Sequence, residues 1–217
     1  MPRPKPDPKA VVPHIIAQAI TLLKKQGFEQ LTMKSLAQQC DMSVGKLYHF
    51  FPGKDDLFLT LEIEYFEGLY RALDDAASQY SDATQAFRAM LSAYYHYAAE
   101  HIELYQLVSA PPKVYTHYIG TTKEALARLE LKSALSVVNL VRRYFDRVAK
   151  KCALSVGDSD FLFCINAMHG LILMSHSAAW PYVSRRVESE LDLDAPPGAL
   201  HEEVEQQIDL LLNKLLH

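Results

Sequence analysis

Hydrophobic positions recur at helical spacing through most of the chain. Between about Lys9 and Gln26, apolar side chains return every three or four residues, and the same spacing continues in later segments. Few segments alternate apolar with polar residues, which would be the pattern of a strand. Glycine supplies only 8 of the 217 residues. The pattern therefore predicts a protein built from α-helices.

Longer helices are expected after the first 54 residues. They are predicted over residues 55–78, from Ser81 or Asp82 to about His101, and over 102–109, 123–152, 158–176 and 199–216. In the segment 123–152 the apolar stripe, which includes Leu129 and Val138, is expected to face inward. The segment 158–176 is apolar nearly all round, so we expect it to be buried on most sides.

The N-terminal region has the pattern of three helices, the last two of them short. Gly27 is expected to end the first helix in a left-handed conformation. Thr32 and Ser43 stand where N-caps of two helices of about seven residues are expected. The pair Asp41-Met42 separates these two helices by a tight turn. Two short helices joined in this way form a helix-turn-helix, whose second helix enters the major groove of DNA.

Composition is that of a globular protein with a substantial core. Apolar residues make up 49% of the chain and charged residues 22%. The longest apolar stretch, residues 161–174, has 14 residues and is too short to cross a bilayer, which needs about 20. The first ten residues are proline and charge, not the apolar run of a signal peptide. Three cysteines without short spacing indicate reduced thiols. We therefore expect a cytoplasmic protein with no membrane partner.

Charge is distributed unevenly along the sequence. Residues 1–54 contain eight Lys and Arg against three Asp and Glu, a net charge of +5. The remaining 163 residues contain 14 against 23, a net charge of −9. A basic front end on an acidic body indicates that the N-terminal region binds a polyanion.

The second short helix has the chemistry of a DNA-contacting element. At Gly45 the missing Cβ would let the helix backbone approach sugar and phosphate closely. Lys46 can reach a base acceptor or a phosphate, and Tyr48 and His49 can donate hydrogen bonds to phosphate oxygens. The alternative is that the aromatic residues here belong to the core, which is the expected reading for Phe50 and Phe51 but not for Tyr48 and His49.

Residues 27–58, GFEQLTMKSLAQQCDMSVGKLYHFFPGKDDLF, closely resemble the DNA-binding segment of TetR-type transcriptional regulators. The order and spacing match from Gly27 to Lys54, with two departures: Asp41 stands where the family most often has glycine, and Phe50 where histidine or tyrosine is usual. The resemblance implies DNA contacts by eight residues: Thr32, Lys34, Ser43, Gly45, Lys46, Tyr48, His49 and Lys54.

The same resemblance implies the domain organisation and a homodimer. Residues 1–53 would form the helix-turn-helix DNA-binding domain, with a flexible tail over 1–8, and residues 54–217 a ligand-binding and dimerisation domain. Dimer pairing is expected through the helices over 158–176 and 199–216. The candidate interface residues on them are Leu171, Met174, Val204, Ile208, Leu211, Leu212 and Leu215.

Polar tips in otherwise apolar C-terminal helices indicate a pocket for a small organic molecule. Each of these residues could equally be a satisfied core residue. The candidates are Tyr94, Tyr97, His101, Tyr105, Tyr115, Tyr118, Phe145, Asn166, Met168 and His169. The resulting hypothesis is a repressor that is released from its operator by a small, largely apolar ligand.

An enzyme and a constitutive DNA-binding regulator are the two alternatives to this hypothesis. No G-x-S-x-G, P-loop or G-x-G-x-x-G motif occurs, and His169 and His176 are too far apart along a helix to share a metal. His96 and Glu100 have i,i+4 spacing and could hold a metal, but a solvated pair is the expected reading, so we expect no catalytic residues, metal or cofactor. A constitutive DNA-binding regulator or activator without a small-molecule ligand would share the same N-terminal region and remains the alternative.

Overall fold

The computed structural model describes residues 8–177 and 200–216, which form helices and no strand. The predicted tail over 1–8 lies, except for Pro8, outside the described residues. Nine α-helices and one short 3-10 helix are present in this part of the chain: α1 (Pro8–Gln30), α2 (Met33–Gln39), α3 (Val44–Phe50), α4 (Lys54–Ser78), α5 (Ala83–Glu100), α6 (Ile102–Ser109), the 3-10 helix (Tyr115–His117), α7 (Glu124–Lys151), α8 (Asp158–Ser175) and α9 (Leu200–Leu216). The prediction of an all-α fold is confirmed.

The helices form two compact units. The first contains the chain up to Glu67 together with His101–Leu135, and the second contains Gly68–Glu100 and the chain from Ser136 onward. Helices α4 and α7 therefore contribute their first halves to the first unit and their second halves to the second. The predicted boundary at residue 53 divides the chain by function, into a DNA-binding domain and a ligand-binding and dimerisation domain. This division stays a prediction.

In the first unit, the three N-terminal helices pack around a small apolar core. Helix α1 contacts α2 and α6, and α2 contacts α3. The side chains of Ile15, Leu36 and Leu47 are fully buried between them. Because Leu47 is the inward anchor of α3, the opposite face of that helix is left on the surface.

In the second unit, α5 contacts both α8 and α9. The ring of Phe145 packs against Phe87, at a centroid distance of 6.0 Å, and against Phe161, at 5.6 Å. A bidentate ion pair joins Arg88 on α5 to Asp209 on α9, with Nε–Oδ1 and Nη2–Oδ2 distances of 2.5 and 2.9 Å. The planar guanidinium matches the carboxylate in this geometry, which fixes α9 on α5.

Two expectations from the periodicity were wrong. Helix α8 is not buried on most sides: Phe161, Cys164, Met168 and Ile172 are buried, whereas Leu162 and Phe163 are more than half exposed. Since nearly every face of α8 is apolar, periodicity could not tell which one packs inward. On α7, Leu129 and Val138 are exposed rather than inward, at 46% and 43%.

Candidate nucleic-acid interface

Side-chain caps begin both helices of the predicted helix-turn-helix. The Thr32 hydroxyl accepts a hydrogen bond of 3.0 Å from the backbone N–H of Ser35, and the Thr32 N–H donates to the Ser35 hydroxyl at 3.1 Å, which closes a capping box. The Ser43 hydroxyl accepts from the N–H of Lys46 at 3.2 Å. Both predicted N-caps are confirmed, and they fix where each short helix starts.

The turn between α2 and α3 uses a left-handed residue. Asp41 has φ of 52°, in the region where the sequence departs from the glycine usual in the family. Aspartate tolerates this conformation better than most residues, so the turn keeps its tight geometry without glycine. Upstream, Gly27 has φ of 74° and interrupts α1 as expected, although helical hydrogen bonding resumes up to Gln30.

Helix α3 presents a polar, exposed face directly opposite its buried anchor. Leu47 and Phe51 are buried at 0% and 4% exposure. Lys46, Tyr48 and His49 are exposed, Tyr48 at 46%. Tyr48 is therefore not a core residue, and its hydroxyl is available to a partner.

Gly45 lies on the same exposed face, in the first turn of α3. A Cβ built at this position meets no atom within 4 Å, so the packing of the protein itself does not require glycine here. Its φ is also not in the left-handed region that favours glycine. Neither the packing of the protein nor the backbone conformation therefore accounts for glycine at this position.

Lys54 differs from the other seven predicted DNA contacts, all of which are exposed. Its Nζ donates to the carbonyl oxygen of Glu29 at 3.4 Å and lies 4.9 Å from the centre of the Phe58 ring. Burial lowers the pKa of Lys54, while the neighbouring charges of Asp55 and Glu29 act in the opposite direction. In this structure the Lys54 ammonium is held by its own chain.

The ten predicted pocket residues divide between the two units. His101, Tyr105, Tyr115 and Tyr118 belong to the first unit, and the other six to the second. In the second unit, the Tyr94 hydroxyl and His169 Nε2 are 3.2 Å apart, and burial lowers the pKa of His169. Asn166 is exposed. A small apolar cavity of about 10 Å³, partly open to solvent, is lined by Phe145 and by seven other residues: Phe87, Val148, Ala149, Leu154, Val156, Leu212 and Leu215.

The predicted dimer residues are placed on different faces of α8 and α9. Val204, Ile208 and Leu212 are buried inside the protomer, at 1%, 0% and 5% exposure, so they are core residues of the second unit. Leu171, Leu211 and Leu215 are partly buried, and Met174 is 45% exposed.

An exposed apolar face on α8 includes the predicted Met174 and other residues that the sequence analysis did not single out. Phe163 and Met174 are 58% and 45% exposed, and Ala167 and Gly170 lie on the same helical stripe between them. Leu210 on α9 is also exposed, at 57%. Together they form exposed apolar surface on the described part of the chain.

The sequence reasoning also missed a buried carboxyl group, Glu62, on α4. It is 5% exposed, and burial, together with the charge of Glu130, raises the pKa of Glu62 to about 8. A signal was available: Glu62 lies four residues after Phe58 and three before Tyr65, in an otherwise apolar helical stripe.

Neither a membrane-spanning helix nor a metal-binding cluster occurs in the described ranges. No helix over residues 8–177 or 200–216 is long and apolar enough to cross a membrane. Within those same ranges, His, Cys, Asp and Glu side chains form no group of three or more that could hold a metal ion.

Comparison with known proteins places the N-terminal region in one family. Residues 15–61 match the family model "Bacterial regulatory proteins, tetR family". A protein of Bacillus subtilis described as "Probable HTH-type transcriptional regulator YttP" is 33% identical over 67 residues, which are 31% of this chain and 32% of that protein. The chain spans about a third of the length of the curated relatives that it matches.

Solved structures extend the similarity of fold to the whole chain. The structure of a protein of unknown function from Rhodococcus sp. RHA1 superposes on this chain with a TM-score of 0.73 and 20% sequence identity. The superposition covers 100% of both chains. The structure of the transcriptional regulator FadR from Bacillus subtilis, in complex with stearoyl-CoA, superposes with a TM-score of 0.60 and 14% sequence identity. The superposition covers 94% of this chain and 97% of the FadR chain. The N-terminal segment with its capped helix-turn-helix is therefore of the TetR-family type, and the all-helical fold is similar to that of solved TetR-family regulators.

Proposed function

We propose that the protein is a homodimeric, sequence-specific DNA-binding regulator of transcription that acts in the cytoplasm. The observation that carries this proposal is the exposed face of α3. Gly45, Lys46, Tyr48 and His49 are exposed on this helix, while Leu47 is buried and holds its other face against the core. Together with Thr32, Lys34, Ser43 and, after release from Glu29, Lys54, these residues would contact one half-site. The proposal assigns no catalytic residue, metal or cofactor to the chain.

Base reading is assigned to Lys46. We expect Lys46→Ala to lower affinity for the preferred duplex by about thirtyfold or more, because a lysine contact to a base edge contributes about 1–3 kcal/mol and the dimer loses it in both half-sites. The preferred duplex is first selected from randomised DNA with the wild-type protein, and affinities are then measured by fluorescence anisotropy.

The matched control is Lys24→Ala, which removes an exposed lysine from α1 outside the proposed contacts. It should leave discrimination between preferred and random duplexes unchanged. If both variants weaken all duplexes equally, Lys46 acts only as a phosphate contact.

A dimer is required because one recognition helix reads only a few base pairs. Two copies would span half-sites about 34–36 Å apart, one helical turn of DNA. The exposed stripe of Phe163, Ala167, Gly170 and Met174 supports pairing through α8, with Leu210 of α9 beside it.

Replacing the largest exposed apolar side chain on α8 tests this pairing. We expect Phe163→Glu to convert the dimer to a monomer at micromolar concentration, because a carboxylate would be buried without a partner in the interface. Light scattering coupled to gel filtration measures the mass. Ile119→Glu, at an equally exposed residue of the first unit, is the control and should stay dimeric. A wild-type protein that is itself monomeric would contradict the proposed pairing.

The regulatory signal is proposed to be a small, largely apolar ligand bound in residues 54–217, which releases the protein from DNA. A neighbour of the same fold is bound to stearoyl-CoA, which supports this fold as one that can enclose an apolar ligand. Movement of α4 by the ligand would separate the recognition helices. A shift from mostly bound to mostly released needs about 5.5 kcal/mol of differential affinity between the two conformations.

A further inference from the structure

The start of α4 carries two carboxylates directly beside a proposed phosphate contact. Asp55 and Asp56 follow Lys54 in the first turn of the helix. Burial lowers the pKa of Lys54, and the charge of Asp55 opposes that effect, so this carboxylate is within electrostatic reach of the ammonium. Unbalanced negative charge here would repel phosphate groups and would hold Lys54 away from them. DNA binding at this turn is therefore opposed unless a cation balances the two carboxylates.

Two lysines from a distant part of the sequence balance these carboxylates. Lys113 Nζ donates to Asp55 Oδ2 at 2.7 Å, and Lys123 is paired with Asp56. Both lysines lie in the segment 110–123, between α6 and α7, and this segment belongs to the same compact unit as α2 and α3. Each carboxylate in the first turn of α4 is thus matched by one ammonium group.

The Lys123–Asp56 pair lies against the turn that joins α3 to α4. A Cβ built on Gly53 would stand 3.3 Å from Asp56 Oδ2 and 3.5 Å from Lys123 Nζ. The two side chains are only 16% and 24% exposed, so solvent and salt screen their attraction less than on the open surface. The Lys123 ammonium is therefore held beside the last residue of the predicted DNA-binding domain.

The Lys113–Asp55 pair is more exposed and is oriented by an aromatic ring. Lys113 Nζ lies 6.0 Å from the centroid of the Tyr118 ring, and Tyr118 is itself buried. The face of the ring attracts the ammonium and so favours the conformation in which the lysine reaches α4. Exposed ion pairs contribute little to stability, which leaves the charge of Lys113 as its main effect at this place.

We infer that Lys113 and Lys123 are positioning residues for DNA binding. Each neutralises one carboxylate at the start of α4, so that Lys54 can bind a phosphate and the DNA backbone can approach the turn. Neither lysine contacts DNA itself; both act through the carboxylates with which they pair. The inference rests on the proposed DNA-binding function and adds to it two residues that lie far beyond the helix-turn-helix in the sequence.

Opposite effects are expected for the two members of one ion pair. Lys113→Gln leaves Asp55 unbalanced and adds a negative charge at each half-site, so affinity for DNA should fall. Asp55→Asn leaves Lys113 unbalanced and adds a positive charge, so affinity should rise. The double variant restores the neutral sum of the wild-type pair and should bind as the wild type does.

Other roles for Lys113 predict different results. If Lys113 contacted DNA directly, the double variant would stay as weak as Lys113→Gln. If the ion pair only held the segment 110–123 on α4, then Lys113→Gln, Asp55→Asn and the double variant would all weaken binding. The two single variants and the double variant therefore separate charge compensation from a direct contact and from a purely structural role.

Affinities of the full-length proteins are measured by fluorescence anisotropy with the selected duplex and with a random duplex, at about 50 mM and about 200 mM salt. At the lower concentration we expect Lys113→Gln to weaken binding by about threefold to tenfold and Asp55→Asn to strengthen it by a similar factor. Both effects should shrink at the higher concentration because salt screens them. Lys123→Gln, Asp56→Asn and their double variant form a second set with the same expected signs, and urea unfolding shows that each variant is folded.

The ion pair between Lys151 and Asp82 in the second unit is the matched control. It also joins a lysine of one segment to an aspartate of another, but none of the eight proposed DNA contacts belongs to that unit. Lys151→Gln and Asp82→Asn should each leave affinity within about twofold of the wild type, because a charge beyond the screening length has little effect on phosphate binding.

Three results would overturn the inference: single variants of one pair that change affinity in the same direction or not at all, a double variant as weak as Lys113→Gln, or equal effects in the control pair. The random duplex separates these results from the proposed function, because charge compensation acts on any phosphate backbone. Opposite shifts on random DNA would support the inference even if the protein selected no duplex, which would contradict sequence-specific regulation. Selection of a duplex with unchanged affinities in the single variants would overturn the inference and leave the proposed function standing, and a protein that binds no DNA would overturn both.

Discussion

Replacing Gly45 by alanine will make the free protein more stable and its DNA complex weaker. Gly45 is in the first turn of α3, and a Cβ there meets no atom of the protein within 4 Å. Alanine should therefore gain about 0.5 kcal/mol of stability from its better helix propensity. On DNA the same methyl group would stand between the helix and the sugar-phosphate backbone, and we expect at least tenfold loss of affinity, about 1.4 kcal/mol.

The two readouts separate a role in folding from a role in binding. Urea unfolding at fixed protein concentration gives the stability, and anisotropy with the selected duplex gives the affinity. A substitution that merely damaged α3 would lower both quantities together. Unchanged affinity would show that α3 does not approach DNA at residue 45, and the assignment of α3 as the recognition helix would then lose its main support.

Replacing Glu62 by glutamine, which cannot ionise, should stabilise the protein at neutral pH and change how its stability depends on pH. Burial raises the pKa of Glu62 from 4.5 to about 8, so the folded protein keeps a proton that the unfolded chain releases. Stability from this group is fully present below pH 4.5 and is lost as pH rises towards 8. We expect Glu62→Gln to remove this loss, a gain of about 2–3 kcal/mol at pH 7.

The measurement is the free energy of unfolding in urea at pH 5, 6, 7 and 8. The difference between Glu62→Gln and wild type should grow with pH. Glu64→Gln removes an exposed carboxylate from the same helix and should follow the wild-type curve. Parallel curves for all three proteins would mean that Glu62 has an ordinary pKa in the folded state.

Features decided by neighbours in the sequence could be predicted from the sequence. The caps at Thr32 and Ser43 depend on residues at most three positions away, and the conformations of Gly27 and Asp41 depend on the residue type itself. Such local signals are the reason why the helix-turn-helix, and the family that it indicates, were predictable before any coordinates.

Features decided by packing between distant segments could not be predicted in the same way. On α8 nearly every face is apolar, so its contacts with α5 and α9 determine that Met168 is buried and Phe163 is not. Val204 and Ile208 are apolar enough for either a core or an interface, and the structure buries them in the core. The burial of Glu62 is likewise decided by packing, which the sequence of α4 alone does not give.

The position of Lys54 has a consequence for how the protein should respond to ionic strength. Each phosphate that a protein cation neutralises releases counterions, so the logarithm of affinity falls with the logarithm of salt concentration by about 0.9 per contact. While both Lys54 side chains of a dimer remain on Glu29 and Phe58, they add nothing to this slope, which is then smaller by roughly two. If Lys54 moves to a phosphate on the operator but not on random DNA, complexes with the operator would be more sensitive to salt than complexes with random DNA.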